Sequence, residues 1–303
     1  MSKYLVKRIL LAVLSVFVIC FITFFVMNAV PGGPFNSEKA LSEATKAALE
    51  KRYNLDKPVY VQFFLYMKNI LHGDFGVSLK TGRDISGTIM SCFKVSARIG
   101  GYAAVLALIV GVVLGAVAAL FRNKWPDRVI IFLTTLFTAM PSFVFATFLL
   151  MIFCIRLKLL PVWDASTKSL ILPVIALAAY PTAYITRLTK TSMLDALGQD
   201  YIRTARSKGV PTVKVIFKHA LRNALIPVIT YVGPMLAYIL TGSLVVENIF
   251  TIGGLGQQFV KSINNRDYPM IMATTIFLAV IMVGMNLLSD IMYKIVDPRI
   301  KLD

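Results

Sequence analysis

The residues best placed to do chemistry in this chain lie together between Asp200 and Pro227, and the chemistry they suit is recognition rather than bond-making. Beyond Pro211, the residues Val213, Ile216, Phe217, Ala220, Leu221 and Ala224 follow the 3, 4, 7, 8 spacing of one helical face. Lys214, Lys218 and Arg222 recur every four residues on another face. Upstream, Asp200–Ser207 suits a second short helix, Gly209 is free to take positive φ, and Pro211 can occupy a first helical turn without losing a hydrogen bond. Two short basic, amphipathic helices meeting at Gly209-Val210-Pro211 make an element that a soluble partner can grip. A helix lying among lipid headgroups would carry the same stripe, so composition alone leaves both readings open.

Bond-making chemistry finds little support elsewhere. His72 and His219 are the only histidines and are far apart in sequence. There is no H-E-x-x-H, no G-x-S-x-G and no clear intramembrane acid pair, and no G-x-x-x-x-G-K-[ST] that would cradle ATP in a P-loop. Cys20, Cys92 and Cys154 share no metal or redox spacing and read as small apolar residues, with no disulfide expected. Asp290 invites an ion or proton site, but it falls near the end of an apolar stretch beside Lys294. With Asn286 and Tyr293 on the same helical side, it reads as a packing or ion-pair residue.

What must position the 200–227 element is a set of membrane spans. Hydrophobic residues make up 57% of the 303 residues and charged residues 16%, against about 25% charge in a soluble domain. The apolar stretches are long and continuous, so the class is all-α integral membrane protein. About six spans meet the length requirement: Ile9–Val30, Ile99–Phe121, Val129–Ile155, Leu170–Ile185, Leu225–Val246 and Met270–Ile291. Pro141 in the third and Pro234 beside Gly233 in the fifth predict kinks. The first span is too long for a secretory h-region and reads as an uncleaved anchor.

The formal charge of +17 raises the question of nucleic acid, and its distribution answers it. Lys3, Lys7 and Arg8 precede the first span. Arg122, Lys124 and Arg128 sit between the second and third, eight cations from Arg187 to Arg222 between the fourth and fifth, and Lys294, Arg299 and Lys301 at the end. With six spans all four groups share one side, which the positive-inside rule makes cytoplasmic, with both termini there. The charge is therefore an orientation signal and a contact for anionic lipid, and no nucleic-acid partner is expected. Between the first two spans, Pro31-Gly32-Gly33-Pro34 stops a helix, and Glu38–Tyr53 and Pro58–Leu71 read as surface helices, the second with Phe63, Phe64, Met67 and Ile70 as its stripe. The expected organisation is an anchor helix over 1–30, an extracytoplasmic helical segment over 31–98, and a core of five spans over 99–303 with the cytoplasmic loop at 187–224.

Tyr201-Ile-Arg-Thr-Ala-Arg-Ser-Lys-Gly209 and His219-Ala-Leu-Arg-Asn-Ala-Leu-Ile-Pro227 resemble the cytoplasmic loop of type I ABC-importer permeases. Arg203, Thr204 and Ala205 stand at that signature's Glu-Ala-Ala positions and Gly209 at its glycine. The departure from Glu is a feature of the dipeptide/oligopeptide/nickel branch. Tyr4-Leu-Val-Lys-Arg-Ile9, Gly73-Asp-Phe-Gly-Val-Ser78, Glu247-Asn-Ile-Phe250, Gly254-Leu-Gly256, Arg266-Asp-Tyr-Pro269, Asp290-Ile-Met-Tyr293 and Asp297-Pro-Arg299 follow that branch in order, over essentially the whole chain. The long outward segment is similar to that of the first permease in oligopeptide importers.

The resemblance implies half of a translocation path in a bacterial or archaeal cell membrane, paired with a second homologous permease. It also implies two cytoplasmic ATPases holding ATP and Mg, and a substrate-binding protein outside. This chain would carry no cofactor of its own. Arg203, Thr204, Ala205, Lys208, Gly209, Val210, Pro211, Val213, Ile216 and Phe217 would couple to the ATPase. Tyr180, Tyr184, Tyr231 and Tyr238 would line the path, and Glu247 would meet the binding protein. Peptides are the cargo this implies, with nickel or another small solute the alternative and a self-contained channel or secondary transporter the second alternative.

Overall fold

The computed structural model describes residues 2–30, 57–163 and 169–296, and the surface helix expected at Glu38–Tyr53 lies outside them. The described residues form helices joined by short turns, with one isolated antiparallel bridge between Val77 and Asp84. In order they are α1 (Ser2–Ala29), α2 (Val59–Leu71), α3 (Ile85–Leu120), α4 (Trp125–Ala139), α5 (Ser142–Arg156), α6 (Ile171–Leu197), α7 (Asp200–Ser207), α8 (Thr212–Ile249), α9 (Leu255–Asn264) and α10 (Tyr268–Val296). The helices α1, α3, α6, α8 and α10 are each long and apolar enough to cross a membrane, and α4 with α5 makes a sixth if that bent pair is one span. The third expected span is therefore broken, not merely kinked. α4 and α5 meet at 107° across Met140-Pro141, because Pro141 has no N–H to continue the ladder and forces Met140 into extended backbone. Two segments are π-helical, Leu150–Arg156 ending α5 and Val215–Leu221 near the start of α8. α3 begins well before the expected Ile99, and α6 runs well past Ile185.

The chain folds as two compact units, Met1–Val95 with Gly253–Gly284, and Ser96–Ile252 with Met285–Asp303. In the first, Phe63 of α2 is buried among Phe17, Phe21, Phe24 and Phe25 of α1, and this cluster continues to Met272 and Ile276 of α10. The buried stripe of α2 is Phe63, Tyr66, Met67 and Ile70, whereas Phe64 points out at 65% exposure. The Tyr66 hydroxyl is enclosed without a hydrogen-bond partner, and that burial, reinforced by Cys20, pushes its pKa above the usual tyrosine value.

A second apolar cluster, Ile85 and Ile89 of α3 with Leu255, Met270 and Ala273, holds the rest of this unit, and a carboxylate ties its turns. Asp267 accepts the Ser78 hydroxyl at one oxygen and the Leu79 N–H at the other (3.1 Å), tying the turn before α3 to the turn before α10. Gly76 N–H bonds Asp74, and Asp84 accepts the Gly87 N–H at 2.6 Å as the cap of α3. Both ends of the 76–85 hairpin are thus fixed by acids.

In the second unit, α3 lies directly on α6. Gly111 faces Thr182 and Ile185, and Gly115 faces Thr186 and Thr189, so the numbering rises together and the two helices run parallel. Ala103, Ala104, Ala107, Ala118 and Ala119 extend the same buried small-residue stripe. Within lipid, where apolar burial does not drive helices together, such close backbone approach supplies the packing. Gly233 of α8 meets Ser289 of α10 in a similar crossing.

Candidate functional site

The helix pair expected between residues 200 and 224 is present, and its hinge is a specific hydrogen-bonded cap. The Gly209 N–H donates to the Arg206 carbonyl (2.9 Å) and the Val210 N–H to the Ala205 carbonyl (3.1 Å), with Gly209 at φ +73°. This is a Schellman closure, in which the residue after the cap takes the left-handed conformation that glycine adopts without strain. Pro211 then caps α8, which starts at Thr212.

The side chains divide into a seat and a surface. Ile202, Ala205, Val215 and Ala220 pack with Ala196 at the end of α6, with Leu197 and Val210 against them. Met193, Ala224 and Ala119 of α3 form a second cluster, with Ile216 and Leu221 on its edge. The pair is therefore fastened to the ends of α3 and α6 by apolar contacts. Val213 and Phe217, by contrast, stand exposed at 68% and 63%, amid exposed Arg203, Lys208, Lys214 and Lys218.

The single apolar face expected along α8 thus splits in two. The π-helical turn at Val215–Leu221 holds more residues per turn than an α-helix, so a 3, 4, 7, 8 pattern does not stay on one side through it. Of the expected coupling residues, Ala205 and Ile216 turn toward the protein, Val210 is half-buried, and Arg203, Thr204, Lys208, Gly209, Pro211, Val213 and Phe217 are exposed. Arg203 and Asp200 approach to 3.6 Å, but both are exposed, so the pair contributes little.

The four tyrosines expected on the path come together in two ring pairs, Tyr180 with Tyr238 (5.1 Å between centroids) and Tyr184 with Tyr231 (4.2 Å). The reversed order means that α6 and α8 run antiparallel. Tyr180, Tyr184 and Tyr238 remain part-exposed, and Tyr180 and Tyr238 border a small cleft with Phe137, Met140 and Phe145. About 30 Å³ of free space makes this cleft water-sized in this conformation. Glu247 is fully buried and presents no surface to an outside partner. Asp290 is half-buried on α10.

Sequence reasoning passed over two polar arrangements beside these tyrosines. Arg187 of α6 donates from Nε to the Thr134 hydroxyl (3.4 Å) and from Nη2 to those of Thr135 and Thr138 (3.0 Å each), all on α4. One turn further along α6, Lys190 pairs with Asp127, a residue 4% exposed that also accepts the Asn123 N–H at 2.9 Å. By count both cations read as orientation signal and anionic-lipid contact. The i, i+4, i+7 relation of Tyr180, Tyr184 and Arg187 was the available signal for the first. No group of His, Cys, Asp and Glu able to hold a metal occurs among the described residues.

The model of the binding-protein-dependent transport system inner membrane component matches residues 111–302, and that of its N-terminal region matches residues 1–99. The dipeptide transport system permease protein DppB of Bacillus subtilis is 47% identical over 305 residues, covering 100% of this chain and 99% of that protein. The oligopeptide transport system permease protein OppB of Haemophilus influenzae is 41% identical over 305 residues, covering 99% of this chain and 100% of that one. Among solved structures, an amino acid ABC transporter superposes with a TM-score of 0.56 at 16% identity, covering 69% of this chain and 94% of that chain. The MetNI methionine ABC transporter, in inward-facing form, gives 0.55 at 15% identity over 69% and 95%. At those identities the two structures speak to the fold alone, whereas the sequence matches run the full length of the chain. With its apolar helices, the chain is a multi-pass membrane protein that belongs to the family of binding-protein-dependent transport system inner membrane components.

Proposed function

We propose that the chain is the transmembrane subunit of an ATP-driven peptide importer, forming half of the translocation path and taking its power stroke through the α7–α8 hinge. The observation that carries this is the pairing of an exposed apolar grip with a fixed base: Val213 and Phe217 face out on an element whose other side is packed onto α3 and α6. A headgroup-embedded helix needs the apolar surface but not the base. The partners are a second permease, two cytoplasmic ATPases that hold ATP and Mg, and an external binding protein. Peptide cargo rests on the named relatives, a dipeptide and an oligopeptide permease with full-length coverage.

In this mechanism the chain performs no catalysis. Closure of the ATPases moves Val213 and Phe217, and the apolar seat passes that displacement to α3, α6 and α8, whose tyrosines border the path. Glu247, being enclosed, contributes to packing rather than to a direct contact outside.

The test is co-purification followed by reconstitution. A photo-crosslinker at Phe217 is expected to trap an ATPase subunit, and proteoliposomes holding the whole complex are expected to take up labelled di- to oligopeptides only with ATP inside the ATPase-accessible compartment. Uptake by this chain alone would sink the proposal.

A further inference from the structure

We propose that Arg187 is a subsite for the carboxylate of the cargo, at one end of the tyrosine-lined face of α6. The inference rests on the peptide-cargo reading above and adds to it the residue that recognises the cargo's charged terminus.

Three observations lead there. First, Arg187 is a cation without a counter-ion. Its hydrogen bonds among the described residues all go to threonine hydroxyls, and no carboxylate among those residues lies within ion-pair distance. Lys190, three residues on, shows the contrast, since it is neutralised by Asp127. An ionisable residue in or near a membrane span that is left unneutralised reads as a functional site by default.

Second, the guanidinium is held but not used up. Nε and Nη2 are occupied by the three hydroxyls, which fix the plane of the fork without cancelling its charge, while both hydrogens of Nη1 are without an acceptor among the described residues. A planar, fixed and still cationic fork suits a carboxylate.

Third, Arg187 belongs to the same face as the tyrosines. Tyr180, Tyr184 and Arg187 stand at i, i+4 and i+7 on α6. Thr138, which holds the fork, neighbours Phe137 of the cleft bordered by Tyr180 and Tyr238. From Tyr180 to Arg187 the helix rises about 10 Å, the length of roughly three residues of extended peptide. The face is also unlike the exposed side of α1, which carries Leu10, Val13, Leu14 and Ile22. The cleft is too narrow for a peptide in this conformation, so engagement belongs to a state in which α6 and its neighbours have separated.

The test uses the assembled transporter in proteoliposomes, with the delivery protein saturated by either a free-carboxylate tripeptide or its C-terminal amide. Wild type is expected to favour the free acid, and Arg187→Gln to lower acid uptake by about 10- to 100-fold while leaving amide uptake near wild type. Arg187→Lys, which keeps the charge but not the fork, should fall between. Thermal melts of each complex separate this from loss of folding, and Thr138→Val, which loosens the fork but keeps the cation, should raise KM for the acid more than it lowers kcat. An unchanged acid-to-amide ratio in Arg187→Gln, whether uptake persists or falls for both peptides alike, would overturn the subsite and leave a merely structural arginine. A wild-type complex that moves neither peptide would instead overturn the cargo reading on which the subsite stands.

Discussion

Gly115→Ala tests the parallel contact between α3 and α6, one turn from the Ala119–Met193 cluster on which α8 is seated. A Cβ built at Gly115 lies 2.5 Å from the Thr189 Cβ and 2.6 Å from the Thr186 carbonyl oxygen. Carbon–carbon contacts are comfortable at about 3.5–4.0 Å, so the helices must separate by roughly 1 Å. Neither obstacle is the loose end of a flexible chain: one is backbone, and the other is the branched carbon of a threonine with restricted χ1. Overpacking of this kind costs about 1–3 kcal/mol, and the rigidity places this case near the top of that range. Gly101 on the same helix is the internal control, because nothing lies within 4 Å of its Cβ position. Replacing it with alanine relieves the entropy cost of a helical glycine, worth about 0.5–1 kcal/mol in the stabilising direction. The two variants therefore change one hydrogen to one methyl on one helix, with opposite signs. At roughly 2–4 °C per kcal/mol for a chain this large, Gly115→Ala should lower the melting temperature of the purified protein in detergent by about 4–12 °C, and Gly101→Ala should raise it by about 1–4 °C. The reasoning is refuted if both variants melt alike, or if Gly115→Ala melts at or above wild type.

Further expectations follow from the Gly209 turn and from the Asp267 tie. Phe217→Glu should melt within about 0.5 kcal/mol of wild type, since the ring is exposed, yet should reduce ATPase recovery in a pull-down at least tenfold; full recovery would move the docking surface elsewhere. Gly209→Pro forbids the +73° φ and removes the N–H bonded to Arg206, so uptake should be lost while Gly209→Ala, strained by about 1 kcal/mol, retains part of it. Equal uptake by the two would mean that the cap is not needed. Asp267→Ala leaves the Ser78 hydroxyl and the Leu79 N–H without their acceptor, at about 1–3 kcal/mol, and should expose the 76–85 hairpin to protease in sealed vesicles; unaltered cleavage would argue against the tie.

Local periodicity was enough to find α7 at Asp200–Ser207, the hinge at Gly209 and five of the spans, because each is a property of consecutive residues. It misplaced what depends on neighbours far away. Ala205 belongs to the seat and not to the surface, so Ala205→Asp would disturb packing before it disturbed a contact. Phe64 is a misreading of local periodicity, since 63, 66, 67 and 70 keep the i, i+3, i+4, i+7 spacing and 64 does not. Pro141 announced a bend, but its 107° size depends on how α4 and α5 separately find partners. The Gly111 and Gly115 pair was legible as small residues four apart in an apolar helix; its partner on α6 was not. Cations on one face of α6 read as topology signal by count, and only three-dimensional contacts separate the neutralised Lys190 from Arg187.

The Asp267 tie bears on the order in which the protein is made. Ser78 and Asp267 are 189 residues apart, so at about 5–20 residues per second the 76–85 hairpin waits roughly 10–40 s for its acceptor to leave the ribosome. During that interval the Ser96–Ile252 part of the second unit has all the residues of its α3–α6 contact and of the turn at Gly209. The first unit, begun earliest, is closed only when Gly253–Gly284 arrives, and the second follows with Met285–Asp303. A nascent chain stopped before Asp267 therefore holds both sides of the α3–α6 contact while Ser78 and Leu79 still lack their acceptor.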